Sequence, residues 1–441
     1  MNSRPFELQV GGTLDPSKHL YIERRDVENE VYQLLVQGEY CNILCPRQVG
    51  KSSLMINTAL RLQAEGTRVV VMDVAGELGR PSDLMVWYKG FLEKLINILK
   101  ISVDINNWWE KNKQGTANQR LLQFFRDYVC ADNLASCVIF LDEIDTTLTL
   151  DYTDDLFTAI RTMFNERPIE PSYKKITFCL IGVASPNELI KNTRTTAYNV
   201  GRTIELRDFD MVIDNLNPLI EIVADDPKIG KVMVSKVLSW TDGHPYLTLK
   251  LCQEIIDQGI KTPEDLDQFI QSKFSNFDRV RSDVHFQQIE RFLGTRISEK
   301  LTTLRIYERI TSGQKVRDET ALSYIQLKLS GLVKRDEHGF LVVRNLIYKN
   351  IFDAKWVQNT KPHRTMQYLR WFAITTSFLL ILITAIFFYR QLVIEPPQRL
   401  ARFLENEIRT ALDERKAYES YEYLSGIREH FSLQQNPLIE I

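Results

Sequence analysis

The stretch from Cys41 to Leu54, Cys-Asn-Ile-Leu-Cys-Pro-Arg-Gln-Val-Gly-Lys-Ser-Ser-Leu, decides the fold. Its first four residues form a short apolar run that predicts a buried strand, and Gly50-Lys51-Ser52 predicts the start of a helix. Backbone N–H groups at a helix N-terminus point towards the preceding turn, and the helix dipole favours negative charge there. This order of strand, turn and helix therefore predicts a phosphate-binding loop.

The predicted loop supplies the contacts that a nucleoside triphosphate needs. Gly50 lets the backbone approach the phosphates, Lys51 reaches the β and γ oxygens, and the Ser52 hydroxyl completes the shell of a Mg²⁺ ion. Arg47 and Ser53 flank this group and complete the predicted nucleotide contacts. The expected cofactors are ATP or ADP with Mg²⁺.

One residue departs from the G-x-x-x-x-G-K-[ST] pattern, because Cys45 stands at the first glycine position. The alternative reading is that Gly-Lys-Ser only caps an amphipathic helix whose apolar positions include Leu54, Met55 and Leu60. A second nucleotide motif is needed to decide between the two.

That second motif is the apolar run from Val138 to Leu141, which ends in Asp142 and Glu143. Such a run is expected of a parallel strand buried on both faces, with its carboxyl end at the ligand site. Asp142 is predicted to hold Mg²⁺, and Glu143 to orient and deprotonate the attacking water. The alternative is a core strand that runs into an acidic turn before Asp145.

Composition gives limits rather than a function. The 441 residues are 44% hydrophobic and 25% charged with a net charge of −2, which predicts about three globular domains and gives no overall preference for nucleic acid. The six cysteines include no C-x-x-C pair and are mostly in apolar runs, as in proteins of a reducing compartment. The N-terminus lacks the apolar segment of a secretory signal.

Further strand patterns at 68–74, 176–183 and 203–206 alternate with helical patterns. The alternation predicts an α/β fold, a doubly wound parallel sheet of the P-loop NTPase type. We predict the following segments: extended lead-in 1–20, ATPase domain 21–210, helical lid 211–280, winged-helix domain 281–357, linker 358–370, transmembrane helix 371–389 and helical tail 390–441.

Four residues outside the two motifs are candidates for the site. Arg24, at the start of a helix, is placed to contact the base, although an exposed helix-start arginine is nearly as good a reading. Arg202 could project into a neighbouring subunit's nucleotide and stabilise transition-state charge, or it could be a solvated loop residue. His244 and Pro245 lie in a Gly-His-Pro turn that could touch the nucleotide from a lid, or could simply separate two helices.

Two other groups also allow two readings. Trp87, Tyr88, Trp108 and Trp109 favour a buried core over a ligand site. Ser185 follows the strand pattern at 176–183, where a polar group would lie beside the γ-phosphate, but Ser-Pro-Asn is equally good helix N-cap chemistry.

Together these motifs resemble the AAA-like ATPase domain of the signal-transduction ATPases with numerous domains, the STAND class. The resemblance covers about residues 5–357 and implies a nucleotide-controlled switch, in which the Gly-x-Pro lid motif and a following winged helix sense the bound nucleotide. Cys45 departs from the family pattern, as does Glu23, where related switches often have glycine. The resemblance rests on Gly11-Gly12-Thr13, Tyr21-Ile22-Glu23-Arg24, Pro46 to Ser52, Leu141 to Asp145, Gly182 to Pro186, Tyr198 to Arg202 and Gly243-His244-Pro245.

The predicted winged helix contains two helices, 301–310 and 320–329, and a hairpin at 333–343. A winged helix suggests DNA binding, as in a replication initiator or a transposition regulator. Lys328 is the only basic residue between Thr320 and Leu332, and the wing mixes Lys334 and Arg335 with acidic residues. Since phosphate contacts supply most non-specific affinity, nucleic acid is not the expected partner.

The run Trp371 to Tyr389 holds 19 residues without a charge, lies between Arg370 and Arg390, and has aromatic residues at both ends. A helix of this length spans the ~30 Å hydrocarbon core of a bilayer. Because nearby basic residues are balanced on the two sides, orientation follows from the need for ATP, which places the ATPase side in the cytoplasm. The expected partners are membrane lipid, further copies of the chain, and a protein effector or sensor. A P-loop scaffold that does not hydrolyse ATP remains an alternative.

Overall fold

The computed structural model describes residues 6–12, 14–79, 83–131, 133–150, 154–189, 199–275, 283–361, 364–391, 395–413, 423–428 and 430. Thr13 and Tyr198, which belong to the motifs above, and most of the tail after Asp413 lie outside these ranges. The chain divides into two compact units, Met1–Lys361 and Pro362–Ile441, and each is considered by itself.

The first unit is built on a five-stranded sheet whose paired strands are all parallel, as predicted. The strand order β2-β3-β4-β1-β5 places β4 between the strand of the phosphate-binding loop and the strand that ends in Asp142. The fifth strand has two residues instead of the predicted four. The strands are β1 (Cys41–Leu44), β2 (Arg68–Asp73), β3 (Cys137–Asp142), β4 (Ile176–Gly182) and β5 (Arg202–Thr203).

Helices cover both faces of this sheet, which explains why β3 is buried along its whole length. Val138 and Phe140 pack with the helices of one face, while Ile139 and Leu141 pack on the other, as expected from the two-residue period of a strand. One face carries α1 (Arg25–Val36) and α2 (Lys51–Ala64). The other carries α3 (Leu84–Leu99), α4 (Ile105–Lys111), α5 (Ala117–Phe124) and α6 (Asp154–Asn165).

Burial confirms one side-chain prediction and overturns another. Trp87, Tyr88, Trp108 and Trp109 are buried in the core against α3 to α6, so this aromatic group is structural. Leu60, predicted to be on the apolar face of α2, is 49% exposed. The helix buries Leu54, Met55 and Leu62, and Leu60 lies off that stripe.

After the sheet the chain is mainly helical. The segment that the sequence predicts to be a helical lid, which we call the lid segment, contains α7 (Asn217–Val223), α8 (Pro227–Thr241), α9 (Pro245–Gln258) and α10 (Pro263–Ser275). They are followed by what we call the C-terminal module, which contains α11 (Val284–Thr295), α12 (Lys300–Thr311), β6 (Val316–Arg317), α13 (Leu322–Leu329), β7 (Val333–Arg335), β8 (Phe340–Val343), α14 (Leu346–Ile351) and α15 (Ala354–Thr360). Lid and module share one continuous hydrophobic core.

The three short strands of the C-terminal module form an antiparallel sheet in the order β6-β8-β7. The hairpin of β7 and β8 was predicted, whereas β6 was missed because two residues are too few to show an alternating pattern.

The second unit contains α16 (Arg364–Tyr389) and α17 (Glu395–Asp413). Within α16, the 19 residues Trp371–Tyr389 have a mean hydropathy of 2.2 and are long and apolar enough to cross a membrane. Their side chains are exposed to the surroundings rather than packed in a core.

Candidate nucleotide-binding site

The phosphate-binding loop connects β1 to α2 through two residues with positive φ, Gln48 at 61° and Gly50 at 88°. The positive φ favours glycine at position 50, and a Cβ there would also lie 2.7 Å from Nη2 of Arg24, which would have to shift. The turn leads straight into Lys51, the first residue of α2. The predicted strand, turn and helix are therefore all present.

Lys51 is only 8% exposed, and its ammonium group lies over the loop. Its Nζ donates to the carbonyl oxygens of Pro46 at 2.6 Å and Cys45 at 3.1 Å. The charge is thus held at the mouth of the loop, next to the first-turn amides of α2. This placement agrees with the phosphate contact predicted for Lys51.

Ser52 and Asp142 come together although they are far apart in sequence, with Ser52 Oγ donating to Asp142 Oδ2 at 3.1 Å. The pairing of β2 with β3 also places Asp73 beside Asp142. Hydroxyl and carboxylate oxygens are the ligands that Mg²⁺ prefers, so this donor set fits the predicted ion. Burial raises the pKa of Asp142, while hydrogen bonds from the Glu143 amide and Ser52 lower it.

Cys45 fits at the first glycine position because its side chain belongs to the core between the sheet and α2. Its backbone N–H donates to the carbonyl of Gly182 at 3.1 Å, which continues the pairing of β1 with β4. Complete burial raises the pKa of its thiol. Cys45 is thus an inert core residue below the loop.

Glu143 follows β3 in the left-handed conformation, with φ of 55°. Its side chain is 37% exposed, and Oε2 lies 3.3 Å from Nη2 of Arg47. Burial raises the pKa of Glu143, Asp145 and Asp142 add to that rise, and the charges of Arg47 and Lys51 oppose it. A partly exposed carboxylate with a raised pKa is a suitable general base.

The phosphate-binding loop, Ser52 and Glu143 line a cleft of about 310 Å³ that also reaches the lead-in and the lid, whereas Asp142 does not line it. Gly11 and Gly12 form one wall, and Tyr246 from the start of α9 forms another. The cleft brings together seven of the predicted site residues, Arg47, Gly50, Lys51, Ser52, Ser53, Glu143 and Pro245.

Arg24 lies beneath the loop and is 2% exposed. Its Nη1 donates to the carbonyl oxygens of Val49 at 2.9 Å and Arg207 at 3.0 Å. Its Nη2 lies 3.4 Å from the carbonyl oxygen of Gly50. The guanidinium therefore braces the backbone of the loop. Its predicted contact with a base stays a prediction.

His244 is buried, at 1% exposure, and its Nδ1 accepts a long hydrogen bond from the Leu247 amide at 3.5 Å as the N-cap of α9. Burial lowers the pKa of His244 well below its usual value. The preceding Gly243 has φ of 74°, and a Cβ there would lie 1.9 Å from the Phe209 carbonyl oxygen. The turn thus ties the lid to the chain that leaves the sheet, and Pro245, rather than His244, reaches the cleft.

Arg202 is exposed at the opposite end of the sheet from the loop. It pairs with Cys41, the first residue of β1, whereas the loop follows the last residue of β1. The structure therefore does not bring Arg202 to the chain's own site, and its predicted action on a neighbouring subunit stays a prediction. Ser185 bonds to Glu188 in a capping box, which agrees with the helix-cap reading of that residue.

Sequence reasoning missed a link between the loop and the C-terminal module. His285 of α11 bonds through Nδ1 to Gln48 Oε1 and lies 2.7 Å through Nε2 from the hydroxyl of Tyr348. Because the Gln48 oxygen can only accept, Nδ1 carries the proton and Nε2 accepts from Tyr348. Burial lowers the pKa of His285 to about 3. A lone histidine in a helical pattern gave no signal of this role.

The chain was also compared with known proteins. It is 30% identical over 373 residues to an uncharacterized WD repeat-containing protein of Synechocystis sp., an alignment that covers 81% of this chain and 31% of that relative. The chain thus spans about a third of the length of the relative that it matches.

Solved structures with similarity include the ORC2 protein of Aeropyrum pernix in its ADPNP–ADP complexes, at 14% identity and a TM-score of 0.40, covering 76% of this chain and 93% of that chain. The AMPPCP-bound DnaA of Aquifex aeolicus is 13% identical with a TM-score of 0.34, covering 81% of this chain and 93% of that one.

The model of the AAA-like domain family matches residues 10–354. This range runs from the lead-in glycines to the start of α15 and includes every residue of the cleft except Gln9. The match extends over most of the chain, and the chain belongs to the AAA-like domain family.

Proposed function

We propose that this chain is a membrane-anchored, ATP-binding switch of the STAND type that hydrolyses ATP slowly. The observation that carries the proposal is the cleft that joins the phosphate-binding loop, Glu143 and the first turn of the lid helix α9. A nucleotide held there contacts both the catalytic carboxylate and the lid. Whether it carries two or three phosphates can therefore affect both.

Binding rests on Lys51 and the amides that open α2, which attract the phosphates, and Ser53 lies beside them in the cleft. Ser52 and Asp142 would hold Mg²⁺, which when bound neutralises charge on the phosphate oxygens. Glu143 would then accept a proton from the attacking water. Burial raises the pKa of this group, which makes it a stronger base than an exposed glutamate.

Signal transfer rests on contacts of the loop with the C-terminal module. Gln48 bonds to His285, which in turn bonds to Tyr348. A Cβ on Gly331, after α13, would lie 3.3 Å from Pro46. The helices and the three-stranded antiparallel sheet support our assignment of a winged helix. We infer that the nucleotide state changes how lid and module pack on the loop.

The proposed membrane anchor is the apolar segment Trp371–Tyr389. The ATPase domain would lie on the cytoplasmic side of the membrane, because ATP is available there. An anchored switch acts through neighbours, so we propose self-association and a protein effector or sensor as partners, with lipid around α16. Exposed Arg202 is then available to a second copy of the chain.

The first test is a titration of the purified full-length chain with labelled ATP and ADP. Lys51→Ala should weaken ATP binding about tenfold to over a hundredfold, because a charge-assisted phosphate contact is worth roughly 1.5–3 kcal/mol. Lys113→Ala is the matched control, since Lys113 is 69% exposed and does not line the cleft. Unchanged affinity in a folded Lys51→Ala protein would remove the assignment of the loop.

A second candidate, a nucleotide-dependent DNA-binding ATPase, is favoured by one observation. Lys315, Arg317 and Arg335 are exposed around the three-stranded sheet of the C-terminal module. Duplex affinity that falls steeply with salt, and that is reduced by Arg317→Ala and Arg335→Ala, would support DNA binding over the signalling switch.

A further inference from the structure

Four charged side chains of alternating sign lead from the cleft to the C-terminal module. Glu143 Oε2 lies 3.3 Å from Arg47 Nη2, which lies 3.6 Å from Asp145 Oδ2. The same Asp145 oxygen lies 3.3 Å from Nη1 of Arg296, the residue that follows α11. Arg47 is therefore shared between two carboxylates, and Asp145 is shared between two guanidinium groups.

Asp145 is the fixed member of this row. It is 4% exposed, and its Oδ1 accepts a hydrogen bond of 3.0 Å from the Val183 amide at the end of β4. Behind it, a Cβ on Gly182 would lie 3.1 Å from Oδ1, so the carboxylate has little room to move. Arg47 is 46% exposed and can move between its two partners.

Arg296 is hydrogen-bonded both to the chain that follows β4 and to the C-terminal module. Its Nη2 donates to the Val183 carbonyl at 3.0 Å, and its own carbonyl accepts from Gln326 of α13 at 3.3 Å. Any motion of α11 and α13 away from the sheet would therefore withdraw Arg296 from Asp145.

Charge competition then decides where Arg47 lies. With Arg296 in place, the negative charge of Asp145 is partly compensated, and Arg47 is attracted to Glu143 as well. Without Arg296, Asp145 attracts Arg47 more strongly, and Glu143 loses its cation. A carboxylate whose oxygen is bound to a guanidinium is less free to orient the attacking water.

We propose that Arg296 is a positioning residue that restrains hydrolysis by keeping Arg47 on Glu143 through Asp145. The inference rests on the proposed function, because it assumes that Glu143 is the base. It adds a defined contact through which the C-terminal module slows turnover until it moves.

The test compares ATP turnover at saturating ATP in the full-length chain and its variants. Arg296→Gln should raise kcat, whereas Asp145→Asn, which keeps the shape but releases Arg47 to Glu143, should lower it. Each change should be roughly three- to tenfold, as for coupled members of one ion-pair network. Arg291→Gln is the matched control, because Arg291 lies on α11 and, among the described residues, makes no ion pair.

Two further readouts separate positioning from a loss of packing. The double variant should behave like Asp145→Asn, since Arg296 acts only through Asp145. Both single variants should change kcat while their Kd for ATP stays near the native value, because neither Asp145 nor Arg296 lines the cleft.

Equal kcat values in Arg296→Gln, Arg291→Gln and the native chain would overturn the inference, as would a fall in Arg296→Gln. If the native chain binds ATP without measurable turnover, Arg296→Gln should still gain turnover, and its failure to do so also overturns the inference. The proposed function fails separately, through loss of nucleotide binding or through turnover that does not depend on Glu143.

Discussion

Replacing Arg24 tests whether this residue stabilises the backbone of the phosphate-binding loop or contacts the base of the nucleotide. Replacing it by methionine keeps most of its length and removes its donors. The buried carbonyl oxygen of Val49 and the partly buried one of Arg207 lose hydrogen bonds of 2.9 and 3.0 Å, and that of Gly50 loses a longer one. An unsatisfied buried acceptor costs about 1–3 kcal/mol, so Arg24→Met should cost about 3 kcal/mol.

The loss should be visible without nucleotide. At 2–4 °C per kcal/mol for a large domain, the thermal midpoint of the first unit should fall by roughly 6–12 °C. The Kd values for ATP, ADP and GTP should all rise by a similar factor, because the loop backbone serves every nucleotide. Arg25→Met is the matched control, since Arg25 is 77% exposed and pairs only with exposed Glu23 among the described residues.

A base contact gives a different result. If Arg24 reads the base, Arg24→Met should change the preference for ATP over GTP and leave the midpoint of the nucleotide-free protein as it is. That outcome would refute the bracing role and support the contact expected from the sequence.

Three other predictions concern the catalytic carboxylate, the buried histidine and the anchor. Glu143→Gln should retain ATP while slowing turnover, because it keeps the shape and loses the base; unaffected turnover would assign the base elsewhere. His285 has a folded pKa of about 3, below that of the unfolded chain, so its contribution to stability is present above pH 6.5 and is lost as pH falls towards 3. The free energy of unfolding, measured by urea titration, should therefore fall less steeply between pH 7 and pH 5 in His285→Gln, by up to about 1.4 kcal/mol per pH unit, and equal slopes would contradict this. The full chain should need detergent for extraction, whereas a chain ending at Lys361, where the first unit ends, should be soluble and bind ATP; binding lost on this truncation would show that the first unit is not self-sufficient.

Local patterns predicted the parts of the site that are continuous in sequence. The apolar run before Asp142 and the Gly50-Lys51-Ser52 turn each predict their local backbone structure. Because ligands bind at the carboxyl ends of parallel strands, the two motifs were expected to lie close together. The bond between Ser52 and Asp142 agrees with that expectation.

Periodicity could not predict the contacts that depend on how separate layers pack. Asp145 meets Arg296 across 151 positions of sequence, and His285 meets Gln48 across 237. Neither pair has a characteristic spacing, since the rest of the sheet and the whole lid segment lie between their members in the chain. The alternative reading of Arg24 as an exposed helix-start arginine was wrong for a related reason, because a charged residue at a helix start is usually exposed and here it lies at 2% exposure under the loop.

The crowding at Gly182 has a consequence for the evolution of this family. A Cβ at that position would lie 2.8 Å from Ile144 and 3.1 Å from the Asp145 carboxylate. Any side chain at 182 would displace the acid that meets Arg296. Relatives that keep an acid at 145 should therefore keep glycine at 182, and those that lose the acid are released from that constraint. The two positions should covary across the lineage, and position 296 should change with them.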